Sequence, residues 1–274
     1  MIARRRIIIV ISIIVATLLI LGGYLTYLHN VKNAYREHTL VVLCGAGLMK
    51  PMNELVKMFE NKYHVKIEVD YGGSGELFAK LEMGIGDVFV PGSYYYIKIA
   101  QKKGLVIPNT IVNITLHIPV IAVPAGNPAH IRSLKDLLRP GVRIAIGNPN
   151  ACAIGRVTIK IFKKNGLYSL FLEKLKHGEI VEAPTVNQLL LYVVTGQVDA
   201  AIIWEDLATW PQSRGKIEII HIPAKENIIK TIAAAVTIYA EKNGNLKIAE
   251  EFVRFISSSE GLKIWEKWGF RPCR

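Results

Sequence analysis

From Thr39 to the end of the chain, short apolar runs alternate with segments of helical period. Thr39-Leu40-Val41-Val42-Leu43-Cys44 runs into Gly45-Ala46-Gly47, as a buried strand runs into a turn. Pro51 then opens a helix with Leu55, Met58 and Phe59 at helical spacing. Val65-Lys66-Ile67-Glu68-Val69 alternates as a strand, Gly72-Gly73-Ser74-Gly75 breaks the chain, and 76–81 reads as a helix. Strand runs recur at 87–90, 118–124, 142–147, 199–204 and 217–220, with helical segments between most of them, and 232–239 is a long apolar run. Thr185 is placed to cap a helix over 186–194 that Gly196 stops. Alternation of this kind predicts mostly parallel sheets covered on both faces. About nine or more strands overfill one doubly wound domain of this length, so two α/β domains are expected.

The chain can build such cores. Of its 274 residues 51% are hydrophobic and 20% charged, which excludes intrinsic disorder. Three cysteines exclude a disulfide scaffold and leave at least one thiol unpaired; Cys44, Cys152 and Cys273 read as small apolar residues. Few Gln and many Ile and Lys give a thermophile-like composition.

Arg4-Arg5-Arg6 precede 22 residues without a charge, from Ile7 to Leu28. At about 1.5 Å per residue that run spans a bilayer core of about 30 Å. It is longer than a secretory apolar region and lacks a small-x-small cleavage site. Residues 1–30 are therefore expected to be a membrane anchor with the arginines inside, or alternatively a long cleaved signal peptide. Either way the remainder lies outside the cytoplasm. Leu43 before Cys44 is too bulky for a lipid-attachment motif.

Beyond residue 30 the chain keeps 31 basic against 22 acidic residues, a net of +9. A basic body favours anionic partners. The lysines are scattered and form no stripe interleaved with aromatics, which argues against nucleic acid. Enzyme signatures are missing too. There is no phosphate-binding GxxxxGK[ST], no G-x-S-x-G, and no metal-ligand spacing among seven histidines. No catalytic residue, cofactor or metal ligand is expected. What recurs is a strand, a small-residue turn and a helix start, near 43–51, 71–76 and 146–156. Each offers unpaired helix-start N–H groups at a sheet edge, which is how α/β proteins hold anions.

Several blocks, in order, carry a resemblance. They are Tyr71-Gly72-Gly73-Ser74-Gly75-Glu76-Leu77, Gly86-Asp87-Val88-Phe89-Val90, Gly147-Asn148-Pro149-Asn150-Ala151-Cys152-Ala153-Ile154-Gly155-Arg156, Ala183-Pro184-Thr185-Val186-Asn187-Gln188, 196–204, and Trp265-Glu266-Lys267-Trp268-Gly269-Phe270. From about Thr39 onward the chain resembles the ABC-transporter solute-binding proteins for molybdate and tungstate. The resemblance implies a two-lobed type II periplasmic-binding fold, with residues 39–118 plus 229–274 in one lobe and 119–228 in the other. It also implies a monomer that captures a small oxyanion between the lobes and delivers it to an ABC permease.

Carried over residue by residue, the family's contacts fall on five places. Ser74 keeps a serine hydroxyl, whereas Gly47 and Trp204 replace a serine and a tyrosine. Backbone N–H groups are implied at Ile154 and near Gln188. Glu205 beside Trp204 departs from the pattern. An acid there repels a dianion unless it is protonated, points away or binds metal directly. These departures leave open another small anion, a chelated metal, or an anchored sensor that no longer transports.

Overall fold

The computed structural model describes residues 39–273, together with Thr17 and 20–23. The expected anchor over 1–30 thus lies outside the described residues apart from those five positions. Among the described residues no helix is long and apolar enough to cross a membrane.

The chain enters through β1 (Thr39–Gly45), α1 (Met49–Tyr63), β2 (Lys66–Gly72), α2 (Ser74–Glu82), β3 (Val88–Val90), α3 (Tyr94–Lys102) and β4 (Val112–His117). It crosses at Ile118 into β5 (Pro119–Pro124), β6 (Ile144–Gly147), α4 (Ala153–Lys164), α5 (Tyr168–Lys176), β7 (Ile180–Ala183), α6 (Val186–Val194), β8 (Ala200–Trp204) and β9 (Ile217–His221). It returns through β10 (Lys230–Val236), α7 (Tyr239–Lys242), α8 (Leu246–Ile256), α9 (Ser259–Lys267) and β11 (Arg271–Pro272). One sheet has the order β11-β4-β10-β3-β1-β2 and the other β7-β6-β8-β5-β9. Each sheet and its helices form one lobe.

Both sheets are mixed, which corrects the expectation of mostly parallel ones. Pairs joined by helical crossovers are parallel: β1 with β2 and β3, and β6 with β7 and β8. The strands that carry the chain between lobes oppose their neighbours. β10 is antiparallel to β3 and β4, and β5 to β8 and β9. A strand leaving a sheet and one re-entering it from the same side run in opposite senses, so the two crossings impose the reversal.

The unbroken apolar runs are explained by burial on both faces. Leu40, Val42 and Cys44 of β1 face one core while Leu43 faces the other, and β3 and β10 divide their side chains the same way. In the first core Phe59 meets Phe252 edge-on, with ring centres 5.1 Å apart. Each such buried side chain contributes about 1.5–3 kcal/mol. The second core runs without interruption from Leu43 and Phe89 into the second lobe at Ala153, Val186 and Trp204. Gly86 stands at φ +94°, where a Cβ would meet Leu43 Cγ at 2.6 Å. The neighbouring Asp87 is wholly buried and accepts hydrogen bonds from Val41 N and from the Asn243 and Asn245 side chains. The Gly86-Asp87 block is thus a structural tie. All three cysteines are free, Cys44 and Cys152 buried and Cys273 partly so.

Candidate binding site

The lobes are shut. Gly75 N–H in the first lobe donates to the Ala151 carbonyl in the second at 2.8 Å. Thr209 Oγ1 donates to the Trp268 carbonyl at 3.0 Å, and Arg271 of β11 pairs with Glu205 at 2.6 Å. Between the lobes lies a cavity of about 20 Å³. A single water requires roughly 10–15 Å³, so the closed form accommodates a species of only a few heavy atoms.

Three helices begin at this cavity. Ser74, Ala153 and Val186 are the first residues of α2, α4 and α6, and all three line it. A helix start carries roughly half a positive charge together with unpaired N–H donors. Convergence of three such ends makes an electropositive enclosure without any ionised base. Gly45, Ala46 and Gly47 contribute a fourth wall from the turn after β1.

Ser74 is buried, and its Oγ accepts the Gly92 N–H at 3.0 Å. A hydroxyl that accepts in this way keeps its proton for another partner. No protein acceptor takes that proton among the described residues, which leaves Ser74 O–H as a donor toward the cavity.

The six expected contact residues separate. Gly47, Ser74 and Trp204 line the cavity. At Gly47 a Cβ would meet Val186 Cγ1 at 3.0 Å and Trp204 Cδ1 at 3.5 Å, so the space of a serine side chain is already filled. Ile154 and Gln188 do not line it. Gln188 N–H donates to the capping Thr185 Oγ1 at 3.4 Å, and its amide donates to Tyr192 OH at 2.8 Å. The Ile154 N–H, with those of Gly155 and Val186, is directed at the Cys152 sulfur. Burial pushes the Cys152 thiol up to about 11 against the pull of those three donors. Glu205 does not line the cavity; its Oε1 lies 2.6 Å from Arg271 and 3.5 Å from His221 Nδ1, while its Oε2 is buried with no hydrogen-bond partner among the described residues.

Sequence reasoning passed over His117 and Asp206. His117, at the end of β4, lines the cavity and stacks on Trp204 with ring centres 3.8 Å apart. Its Nδ1 lies 3.0 Å from the Gly92 carbonyl, which can only accept, so Nδ1 carries a proton. Its Nε2 faces the Asp206 carboxylate at 3.2 Å, and both side chains are buried. Burial raises the Asp206 carboxyl above the ordinary range, partly offset by His117. The only advance signal was a histidine at the chain crossing, which metal-ligand spacing does not detect.

Comparison with known proteins agrees with this architecture. A binding protein from Haemophilus influenzae is 32% identical over 236 residues, covering 86% of this chain and 91% of its own. The molybdate-binding protein of Mycobacterium bovis is 26% identical over 234 residues, covering 85% of this chain and 84% of its own. The periplasmic molybdate-binding protein of Azotobacter vinelandii shares the fold with a TM-score of 0.74 at 19% identity, over 86% of this chain and all of its own. The profile of the bacterial extracellular solute-binding proteins matches residues 40–271, and the chain belongs to that family.

Proposed function

We propose that this protein captures a small tetrahedral oxyanion, molybdate or tungstate, between its lobes outside the cytoplasm and hands it to an ABC permease. The observation that carries the reading is the convergence of three helix starts on one cavity with the free hydroxyl proton of Ser74. Donors without a formal positive charge suit a fully ionised dianion, and the small closed cavity argues against an organic solute. The relative from Mycobacterium bovis that carries the name of a molybdate-binding protein supports the same ligand class. Ser74, Gly47, Trp204 and His117 would form the wall, with the positive ends of α2, α4 and α6 directed at the anion. Ile154 and Gln188 would contribute through the dipoles of the helix ends they belong to, since their own N–H groups are engaged by Cys152 and Thr185. Capture and release require hinge motion and no catalytic step. The apolar run at 7–28 would tether a monomeric receptor at the membrane, close to its permease.

Calorimetry on the full-length chain, unfolded and refolded to strip carried-over anion, tests the reading. Molybdate, tungstate, sulfate and phosphate are titrated in turn. One-to-one binding of molybdate or tungstate is expected, and Ser74→Ala should weaken it by about 1.5–3 kcal/mol, the worth of a hydrogen bond to a charged group. Silence from all four anions with folded protein would discard the ligand. Binding that ignores Ser74→Ala would remove that hydroxyl from the site.

A further inference from the structure

A second, larger cavity of about 350 Å³ lies beside the first, within the size range of small-molecule sites. It sits in the seam between the lobes. Lys98 of α3 comes from the first lobe, Arg156 and Lys160 of α4 from the second, and Lys230 from the strand that crosses between them. No carboxylate lines it. Among the described residues none of these four cations has an ion-pair partner, although Lys80, Lys174, Lys267 and Arg271 elsewhere all do.

Two of the charges are also held against one ring. The Arg156 guanidinium lies over the Tyr95 ring at 4.3 Å, and its Nη2 donates to Tyr95 OH at 2.8 Å. That fixes the planar fork across the seam. Lys160 sits over the same ring at 5.6 Å. Lys230 is half-buried, and burial with the neighbouring Lys160 charge lowers its affinity for a proton. Closing the lobes therefore gathers four positive charges around one cavity with no carboxylate to balance them, Arg156 and Lys230 partly desolvated and Lys98 and Lys160 exposed. Such a set repels itself, and a bound anion would relieve the repulsion most in the closed form.

We propose that this seam is a second anion site, for a dissolved small molecule bearing two or more phosphate groups, and that its occupancy favours lobe closure. An arginine fork with three lysine point charges is the recognition chemistry of phosphate oxygens. The cavity is too large for a single oxyanion and its concave shape suits a free solute. Tyr94 and Tyr95 offer ring surface for the remainder of such a molecule. This inference goes beyond the oxyanion reading and does not depend on it.

The test uses inorganic pyrophosphate as the probe on the full chain in nonionic detergent. Affinity is measured by calorimetry with and without molybdate, against sodium chloride of matched ionic strength, and lobe closure by small-angle scattering. One pyrophosphate per chain and a smaller radius of gyration are expected. The paired substitution Lys160→Gln with Lys230→Gln should weaken pyrophosphate more than tenfold, whereas Ser74→Ala should not change it. Melting curves of both variants check that they fold. No binding by the unaltered protein would overturn the site. So would pyrophosphate binding that is lost in Ser74→Ala and retained in the paired lysine variant, because the probe would then occupy the central cavity. Failure of molybdate with pyrophosphate binding intact would overturn only the oxyanion reading.

Discussion

The N–H of Gly75 donates to the carbonyl oxygen of Ala151 at 2.8 Å, and this single backbone bond brings the start of α2 against the turn before α4. The approach leaves no room for side chains. A Cβ at Gly75 would lie 2.0 Å from Asn150 O, and one at Gly73 would lie 2.5 Å from Ala151 O. The glycines flanking Ser74 are thus a condition of closure. Gly75→Ala should leave the separate lobes folded, since the clash is with Asn150 of the other lobe and not within α2. Circular dichroism should show native secondary structure. Oxyanion affinity should nevertheless fall more than about tenfold because the closed form becomes inaccessible. Calorimetry with small-angle scattering checks this, and a variant that binds and compacts like the parent would contradict it.

Gly47 makes the opposite point about an apparently missing hydroxyl. Restoring serine there should not strengthen binding. The new Cβ would meet Val186 Cγ1 at 3.0 Å, with Trp204 and Leu207 behind it. Overpacking of this kind costs about 1–3 kcal/mol. Gly47→Ser should therefore weaken the oxyanion, and adding Val186→Ala should recover part of the loss. A serine variant that binds more tightly than the parent would show that the wall yields.

Much of this was legible in the chain. The runs in β1, β3 and β10 had to be buried on both faces, because neighbouring residues such as Val42 and Leu43 are equally apolar. The helix starts at Ser74 and Ala153 were marked by small residues following strands, and Thr185 was marked as a cap. Strand sense was not legible, since periodicity of two is the same in parallel and antiparallel pairs. Nor was the pairing of His117 with Asp206, which only the lobe crossing brings together. Adjacent Glu205 and Asp206 show the limit most clearly. One carboxylate pairs with Arg271 across the lobes and the other with His117, and their order in the chain does not say which.

The pairing with Arg271 makes Glu205 a spectator to the anion. Its Oε1 is held by Arg271 and His221, and it does not line the cavity. The ion pair spans the lobes, from a largely exposed Arg271 to a mostly buried Glu205. Glu205→Gln keeps an amide oxygen toward Arg271 and should change oxyanion affinity by no more than about fivefold. A larger loss would bring the carboxylate into the site, as direct ligation of the metal centre requires.

Asp206 gives the pH dependence its sign. Its carboxyl is raised in the folded protein, first by burial, so the folded state holds its proton more tightly than the unfolded chain does. The folded state then binds more protons than the unfolded state between the ordinary carboxylate value, about 3.9, and the raised one. Stability falls with rising pH wherever that inequality holds. The contribution of Asp206 is present in full below the unfolded value and is lost as pH climbs through the folded one. Asp206→Asn removes the titration while leaving an amide N–H to donate to His117 Nε2. Urea unfolding of both proteins from pH 4 to pH 8 isolates the effect, because other titrating groups are common to the two. The parent should lose stability relative to Asp206→Asn as pH rises. A difference that grows in the parent's favour would mean that His117 lowers the Asp206 carboxyl more than burial raises it, and that the pair is held as ions beneath the cavity.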